Sequence, residues 1–377
     1  MRKFRRTLGL LITLCLVLTL FAGCGSGKDD DEAETSDTSS EETTGIDYDA
    51  AFETFPADEL IMTAGEGGEI YWNEYFYWLH NIVASYMSYY GSIDWTQETE
   101  YEGETITIGD YMLLSTQEYT VYFRAIEAYA AEQGVSLTDE EIEEAENSVA
   151  DGYDSEEDML ADFEEKFITR DLMNYYYTVS ALSTKLFESK YGENAENFTD
   201  EEVAAYAQEN EYMQAKHILL KTVDDSGTAL SDEEVAAKLA TAEEVLALLD
   251  AYSGDDINAY FDELITEYNE DTGVESSPNG YLFTSGTMVE EFETAAAALG
   301  DYEYSGIVET SYGYHIILSL PINPDDTPIS GDYSLRYTAA QEEFTELIAE
   351  KLDSLKITYS DAHAEINPSE MFAVAES

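Results

Sequence analysis

Basic side chains are scarce in this chain of 377 residues, which has 16 lysines and arginines against 82 aspartates and glutamates. Proteins that bind nucleic acid along its backbone use clustered lysine and arginine, because each phosphate carries a negative charge. A formal net charge of −66 therefore excludes that class of partner and repels anionic lipid surfaces. The chain is nevertheless long enough for two domains, and a hydrophobic fraction of 44% is ample for a folded core.

Cysteine is scarcer still, since the sequence has only Cys15 and Cys24. Cys15 lies in an N-terminal segment that we expect to be removed, so a disulfide-stabilised scaffold is excluded. The four histidines do not combine with cysteine or aspartate at the spacing of a metal site. No glycine-rich phosphate loop precedes a predicted helix. We therefore expect neither a metal nor a cofactor.

The N-terminus has the pattern of an export signal. Four basic residues lie within the first six positions, and the apolar run LGLLITLCLVLTLFAGC follows them. This run is shorter than the roughly 20 residues of a membrane span and ends in small residues, which is typical of a secretory signal. Its ending, FAGC, resembles a bacterial lipobox, in which the cysteine becomes the lipidated first residue. We expect a signal peptide over 1–23 and a lipid anchor on Cys24; the alternative is an ordinary signal peptide with an incidental cysteine.

Composition divides the rest of the chain into four parts. Residues 24–58 form an acidic linker rich in serine and threonine, and residues 59–210 have a helical pattern. Strand and helix patterns alternate over 211–322, which predicts a compact α/β module. Residues 323–377 hold a final amphipathic helix and a tail returning to the helical domain. The predicted fold class is α+β, with the module inserted in a mainly helical domain.

Three helix starts in this chain share one signal, in the segments SLTDEE, NFTDEE and ALSDEE. Each has a threonine or serine followed three residues later by a glutamate, which is the spacing of a capping box. The extra acids favour the positive end of the helix dipole. These segments predict helix N-termini after Thr138, Thr199 and Ser231.

Two of the histidines lie inside apolar strand patterns, His217 in QAKHILLK and His315 in SYGYHIILSL. In a strand, His315 shares a face with Gly313 and Ile317, because side chains alternate between the two faces. A single histidine in such a setting is usually a structurally satisfied core residue. The same holds for His80, within the aromatic helical segment that begins near residue 70.

The module contains several separated motifs in one order: AKHILL, YNEDTG, FTSGTMVEEFETAAAAL and SGIVETSYGYHIILSL. In order and spacing they resemble the parvulin family of peptidyl-prolyl isomerases. With the lipobox and the helical flanks, the whole chain resembles the PrsA-type foldase lipoproteins and, in layout, the chaperone SurA. The resemblance implies a small antiparallel sheet flanked by helices, with His217 and His315 on neighbouring central strands.

The resemblance also assigns roles to other positions. Asp271 matches a position that holds Cys or Asp in parvulins, and Thr310 matches a hydroxyl that helps to fix the second histidine. The pocket that receives the substrate proline is matched by Phe283, Met288 and Phe292. Two departures from the family pattern stand out. Asn279-Gly280-Tyr281-Leu282 replaces Gly-Asp-Leu-Gly, and Tyr302 replaces a turn glycine.

The implied activity is peptidyl-prolyl cis-trans isomerisation, which crosses a barrier of about 18–20 kcal/mol and requires no nucleophile or metal. The implied partners are unfolded or partly folded secreted polypeptides with X-Pro bonds, handled outside the cytoplasmic membrane. A phosphorylated substrate would be repelled, because TVDDSGTALSDEE follows the first histidine where phosphate-directed parvulins are basic. One alternative is a non-catalytic holdase whose module only binds peptide. A solute-binding lipoprotein is disfavoured, since no doubly wound pattern of βαβ units is present.

Overall fold

The computed structural model describes residues 46–101 and 103–373. The predicted signal peptide, Cys24 and most of the acidic linker lie outside the described residues. The chain divides into two compact units, of which one is Tyr191–Glu342 and the other contains the described residues on either side of that segment.

Helices make up most of the described chain. Their bounds are α1 (Tyr48–Phe52), α2 (Trp72–Tyr90), α3 (Ile108–Gln133), α4 (Asp139–Ser148), α5 (Glu156–Glu165), α6 (Arg170–Tyr191), α7 (Asp200–Glu209), α8 (Asp232–Ala251), α9 (Ile257–Tyr268), α10 (Glu290–Ala297), α11 (Leu335–Ser354) and α12 (Pro368–Met371). Short 3₁₀ turns lie at Thr272–Ser276 and Ala362–Glu365.

The strands form three antiparallel sheets. Their bounds are β1 (Leu60–Ala64), β2 (Glu69–Tyr71), β3 (Glu98–Tyr101), β4 (Glu104–Thr107), β5 (Met213–Lys221), β6 (Tyr281–Phe283), β7 (Val308–Glu309), β8 (Gly313–Leu320) and β9 (Ile357–Tyr359). The unit with the N-terminal helices has a three-stranded sheet of order β2-β1-β9 and the hairpin β3-β4, and the other unit has one sheet of order β6-β5-β8-β7. The α+β prediction is confirmed.

All three predicted capping boxes are present. In each, the threonine or serine side chain accepts from the backbone N–H three residues on, and the glutamate at that position accepts from the cap's own N–H. The helices that follow are α4, α7 and α8, so this local signal placed three helix starts correctly.

The last residues of the predicted linker, 48–58, belong to the described structure and include helix α1. Tyr48 and Phe52 on helix α1, and Phe55 after it, pack against the core of their unit, and Ala51 is 1% exposed. Asp47 caps the helix, since its carboxylate accepts from the N–H of Ala50 at 2.9 Å. The physical reason is composition: the acidic, hydroxyl-rich stretch ends before these aromatic residues, which bury apolar surface.

The four-stranded sheet of the second unit has two differently covered faces. Ile218, Ile316 and Leu318 point to one face, where they form a core with residues of α8 and α9. Ala215 and Ile317 point to the other face, where they pack with Phe283 of β6 and with Phe292 of α10. Because side chains alternate along a strand, His217 and His315 share this second face. The prediction that His315 and Ile317 share one face of the strand in SYGYHIILSL is therefore confirmed.

Candidate active site

The two histidines meet across the central strand pair. His217 lies opposite Ile317, and His315 lies opposite Leu219, so the two histidines are diagonal neighbours on one face of the sheet. Their Nδ1 atoms are 3.1 Å apart, within hydrogen-bonding distance. His217 is 7% exposed and His315 is 4% exposed. Two residues 98 apart in sequence thus form one buried pair.

Asp271 occupies the other side of His217. Its Oδ2 is 2.8 Å from His217 Nε2, and its Oδ1 accepts from the N–H of Gly273 at 3.0 Å. The loop that carries Asp271 is tied to strand β5 through Asn269, whose amide oxygen accepts from the N–H of Leu219 at 2.9 Å and whose amide nitrogen donates to the Asp271 carbonyl at 2.8 Å. The position of the carboxylate is therefore fixed by the sheet.

Thr310 lies on the far side of His315. Its Oγ1 is 2.9 Å from His315 Nε2, and it accepts from the N–H of Tyr312 at 3.1 Å. The turn between β7 and β8 brings the two residues together, since Thr310 N–H donates to the carbonyl of Gly313. The four residues Asp271, His217, His315 and Thr310 form one continuous hydrogen-bonded row.

Charge assigns a direction to this row. The hydrogen bond from His217 holds the pKa of Asp271 well below its usual range, so Asp271 is an anion that accepts from His217 Nε2–H. When His217 is uncharged, its Nδ1 accepts from His315 Nδ1–H, which leaves His315 Nε2 to accept from the Thr310 hydroxyl. Burial lowers the pKa of His315 to about 4, so His315 is neutral near pH 7. Every donor in the row therefore points towards Asp271.

An apolar surface lies beside the row. Phe283 is fully buried at the base, Phe292 is 3% exposed, and Met288 is half-buried. The Phe292 ring is edge-on to both imidazoles, with centroid distances of 5.4 Å to His217 and 5.6 Å to His315. The structure thus brings all seven predicted side chains of the module together on one sheet face.

Sequence reasoning did not single out Tyr281, which contacts both Asp271 and His217. It also did not predict Ser305, whose hydroxyl accepts from the N–H of Ile317 at 2.9 Å and so supports the strand of His315. Tyr281 stood out only as a departure from the family pattern. Tyr302, the other departure, has a φ of 62°, a left-handed conformation that glycine adopts more readily.

Metal ligation has no support in the part of the chain that the structure describes. Within those residues, no group of three or more His, Cys, Asp or Glu side chains converges in a way that could hold an ion. Within the same residues, no helix combines the length and the apolar character that crossing a membrane requires.

The buried imidazole pair, its acid and hydroxyl partners and the adjoining apolar surface all lie within the second unit. Residues 217–319 match the Rotamase family, the PPIC-type PPIASE domain. The second unit therefore carries a PPIC-type PPIase domain, as the family resemblance implied.

Relatives extend the similarity beyond this domain. The chain is 32% identical over 189 residues to "Foldase protein PrsA" of Oceanobacillus iheyensis, covering 49% of this chain and 54% of that relative. It thus spans about half the length of that relative. It is 26% identical over 361 residues to "Foldase protein PrsA" of Caldanaerobacter subterraneus, covering 93% of this chain and 94% of the relative. A solved structure of PrsA from Bacillus anthracis aligns with a TM-score of 0.25 and 19% identity, over 63% of this chain and 95% of that one.

Proposed function

We propose that the protein is a peptidyl-prolyl cis-trans isomerase and foldase that assists the folding of secreted polypeptides outside the cytoplasmic membrane. The observation that carries this proposal is the row Asp271–His217–His315–Thr310 beside the apolar surface of Phe283, Met288 and Phe292. The match of residues 217–319 to the PPIC-type PPIase family and the similarity to proteins named foldase support it.

The geometry suits a reaction in which no bond is broken. An X–Pro amide loses resonance as it twists, so the polarity of its carbonyl oxygen and nitrogen changes at the transition state. In this proposal the prolyl ring packs against Met288, Phe283 and Phe292, and the twisting amide lies over the histidine pair. A row whose tautomers are fixed can stabilise the twisted amide more than either planar form, without reorganising.

The assignment of catalytic roles to His217, His315, Asp271 and Thr310 belongs to this proposal. Asp271 supplies the fixed negative charge, and the two imidazoles transmit its orienting effect to Thr310. The proposal is for unphosphorylated substrates, because the loop after strand β5 carries the exposed carboxylates of Asp224 and Asp225. A phosphate beside these carboxylates would be repelled.

The isomerase proposal is tested by cis-to-trans rates of an unphosphorylated X–Pro peptide. We expect wild-type protein to accelerate isomerisation, and His217→Ala and His315→Ala each to lower kcat/KM by roughly 10- to 100-fold, since about 1.4 kcal/mol corresponds to tenfold. His363→Ala, in the other unit, is the matched histidine control and should retain the wild-type rate. If wild-type protein leaves the peptide rate unaltered but suppresses aggregation of an unfolded protein, the holdase alternative replaces the isomerase.

The cellular placement is a separate part of the proposal. The lipobox-like ending at Cys24 supports a lipid anchor that tethers the folded units outside the membrane. Three acyl chains on one residue would hold firmly, whereas a single chain binds only marginally. Cys24→Ala should release the protein into the medium, and continued membrane retention of that variant would refute lipidation at Cys24.

A further inference from the structure

Tyr281 makes two contacts that converge on the acid end of the row. Its hydroxyl donates to Asp271 Oδ2 at 2.7 Å, the same oxygen that accepts from His217 Nε2. Its ring is edge-on to the His217 imidazole, with a centroid distance of 5.5 Å and an interplanar angle of 84°. Phe292 makes a similar edge-on contact with His217 at 5.4 Å and 86°. The orientation of the His217 ring is thus restricted by two aromatic rings.

Gly273 provides the space that the Tyr281 hydroxyl occupies. A Cβ atom at position 273 would lie 2.6 Å from that oxygen, closer than real Cβ contacts come, and 3.3 Å from Asp271 Oδ1. The Gly273 backbone does not require glycine, since its φ is not positive. The absence of a side chain at position 273 therefore serves the approach of Tyr281 to Asp271, rather than the local backbone conformation.

We propose that Tyr281 is a positioning residue of the isomerase site: its hydroxyl, admitted by Gly273, fixes Asp271 and thereby the plane and tautomer of His217. A hydrogen bond to a charged acceptor is shorter and stronger than one between neutral groups. With Tyr281 and Gly273 as donors, Asp271 is held from two directions that do not involve His217. The carboxylate can then orient the imidazole instead of following it.

The consequence for activity rests on the proposed isomerase function. A loosened Asp271 would let His217 populate its Nδ1–H tautomer, which would place two Nδ1–H groups against each other in the histidine pair. The row would then lose its common direction, and less of the protein would hold the arrangement that stabilises the twisted amide.

Two variants separate this role from general packing. Tyr281→Phe keeps the ring beside His217 and removes only the hydroxyl. Gly273→Ala leaves Tyr281 intact but displaces the end of its side chain, while the N–H of residue 273 can still donate to Asp271. Tyr304→Phe is the matched control, because Tyr304 donates to the carboxylate of Asp250 at 3.0 Å away from the histidines.

The decisive measurement is imidazole nitrogen NMR on the full chain, in which only four histidines contribute signals. We expect wild-type protein to show His217 as the Nε2–H tautomer and His315 as the Nδ1–H tautomer. In Tyr281→Phe and Gly273→Ala, the His217 tautomer ratio should move about tenfold towards Nδ1–H, with a fall of similar size in kcat/KM for the X–Pro peptide. Tyr304→Phe should match wild type in both.

An unchanged His217 tautomer ratio in Tyr281→Phe overturns the proposal, and an unchanged ratio in Gly273→Ala alone overturns the role given to Gly273. A shifted ratio with unaltered kcat/KM shows that the hydroxyl does not serve the reaction and also overturns it. If wild-type protein has no isomerase activity, the proposed function fails, while the tautomer ratios still decide whether Tyr281 positions Asp271.

Discussion

Buried imidazoles in this chain have two kinds of surroundings. His217 and His315 have a polar partner at every ring nitrogen, supplied by Asp271, by Thr310 and by each other. His80 is instead surrounded by aromatic rings, and its buried Nδ1 has no hydrogen-bond partner among the described residues. Burial lowers the pKa of His80 to about 4, close to that of His315. A lowered pKa therefore does not distinguish the proposed site from packing, whereas hydrogen bonding does.

The lowered pKa of His315 predicts the pH dependence of isomerisation. His315 is neutral above about pH 4, and its bare Nε2 is what accepts from Thr310. We expect kcat/KM to fall as the pH approaches 4, because His315 then takes up a proton and its Nε2 no longer accepts from Thr310. Peptide isomerisation measured from about pH 8 to pH 4 at constant ionic strength checks it. A kcat/KM that shows no fall as the pH approaches 4 would contradict the assignment.

The side chains of the proposed site were predictable to the extent that a motif carries them. His217, His315, Phe283 and Phe292 lie on strands and a helix, and Thr310 and Met288 lie within two residues of such an element. Tyr281 was not predictable, because its partners depend on how the loop of residues 269–280 folds. The contact between Asp271 and His217 Nε2 was missed for the same reason. Loop geometry is fixed by bonds such as those of Asn269, which no periodic pattern in the sequence records.

At the scale of elements, local signals served helices better than strands. The capping boxes and the aromatic pattern from residue 70 placed helix starts to within a few residues of the structure. The strands β1, β2, β3, β4 and β9 were not predicted, since each is short and lies beside longer helical patterns. Strand β1 also pairs with β9 through Met62 and Tyr359, a partner far away in sequence. Pairing between strands so far apart in the chain produces no recognisable pattern in the local sequence.

The start of strand β8 depends on a glycine. Gly313 has a φ of 151°, and a Cβ there would lie 2.1 Å from the carbonyl oxygen of Leu220 on the paired strand. We expect Gly313→Ala to lower the free energy of unfolding of this unit by roughly 2–3 kcal/mol, because neither backbone can move away without breaking the ladder. Urea denaturation measures the change. Gly306→Ala, where no atom lies within 4 Å of the added Cβ, should stay within about 0.5 kcal/mol of wild type.

At the scale of the whole molecule, negative charge dominates. The 16 basic residues are far too few to pair with all 82 acids, even if each contacted two carboxylates. Ion pairs such as Lys185–Glu141 and Lys351–Glu132 are partly exposed, and exposed pairs stabilise proteins only weakly. The net electrostatic effect on the folded state is therefore repulsion, which keeps the protein soluble but lowers the stability of the folded state.

This imbalance predicts how salt affects stability. The Debye length falls from about 8 Å at 0.15 M to about 3 Å at 1 M ionic strength, so repulsion between carboxylates is screened. We expect the Tm to rise by several degrees as sodium chloride increases over this range, since the loss of a few exposed ion pairs is the smaller effect. Differential scanning calorimetry provides the measurement. A falling Tm would mean that the ion pairs outweigh the repulsion.

The pairing of β5 with β8 also has a consequence for the order of events during the export that we propose. In the four-stranded sheet of the second unit, the central strand pair joins β5 to β8. The two histidines on these strands are 98 residues apart in sequence. Closing so long a loop costs conformational entropy before any strand contact is gained, which slows folding. A chain that crosses the membrane with its N-terminus first cannot assemble the histidine row until Leu320, the last residue of β8, has also crossed. An exported chain would thus leave the cytoplasm as an unfolded polypeptide itself, and the sheet that carries its histidine row would be among the later structures to form.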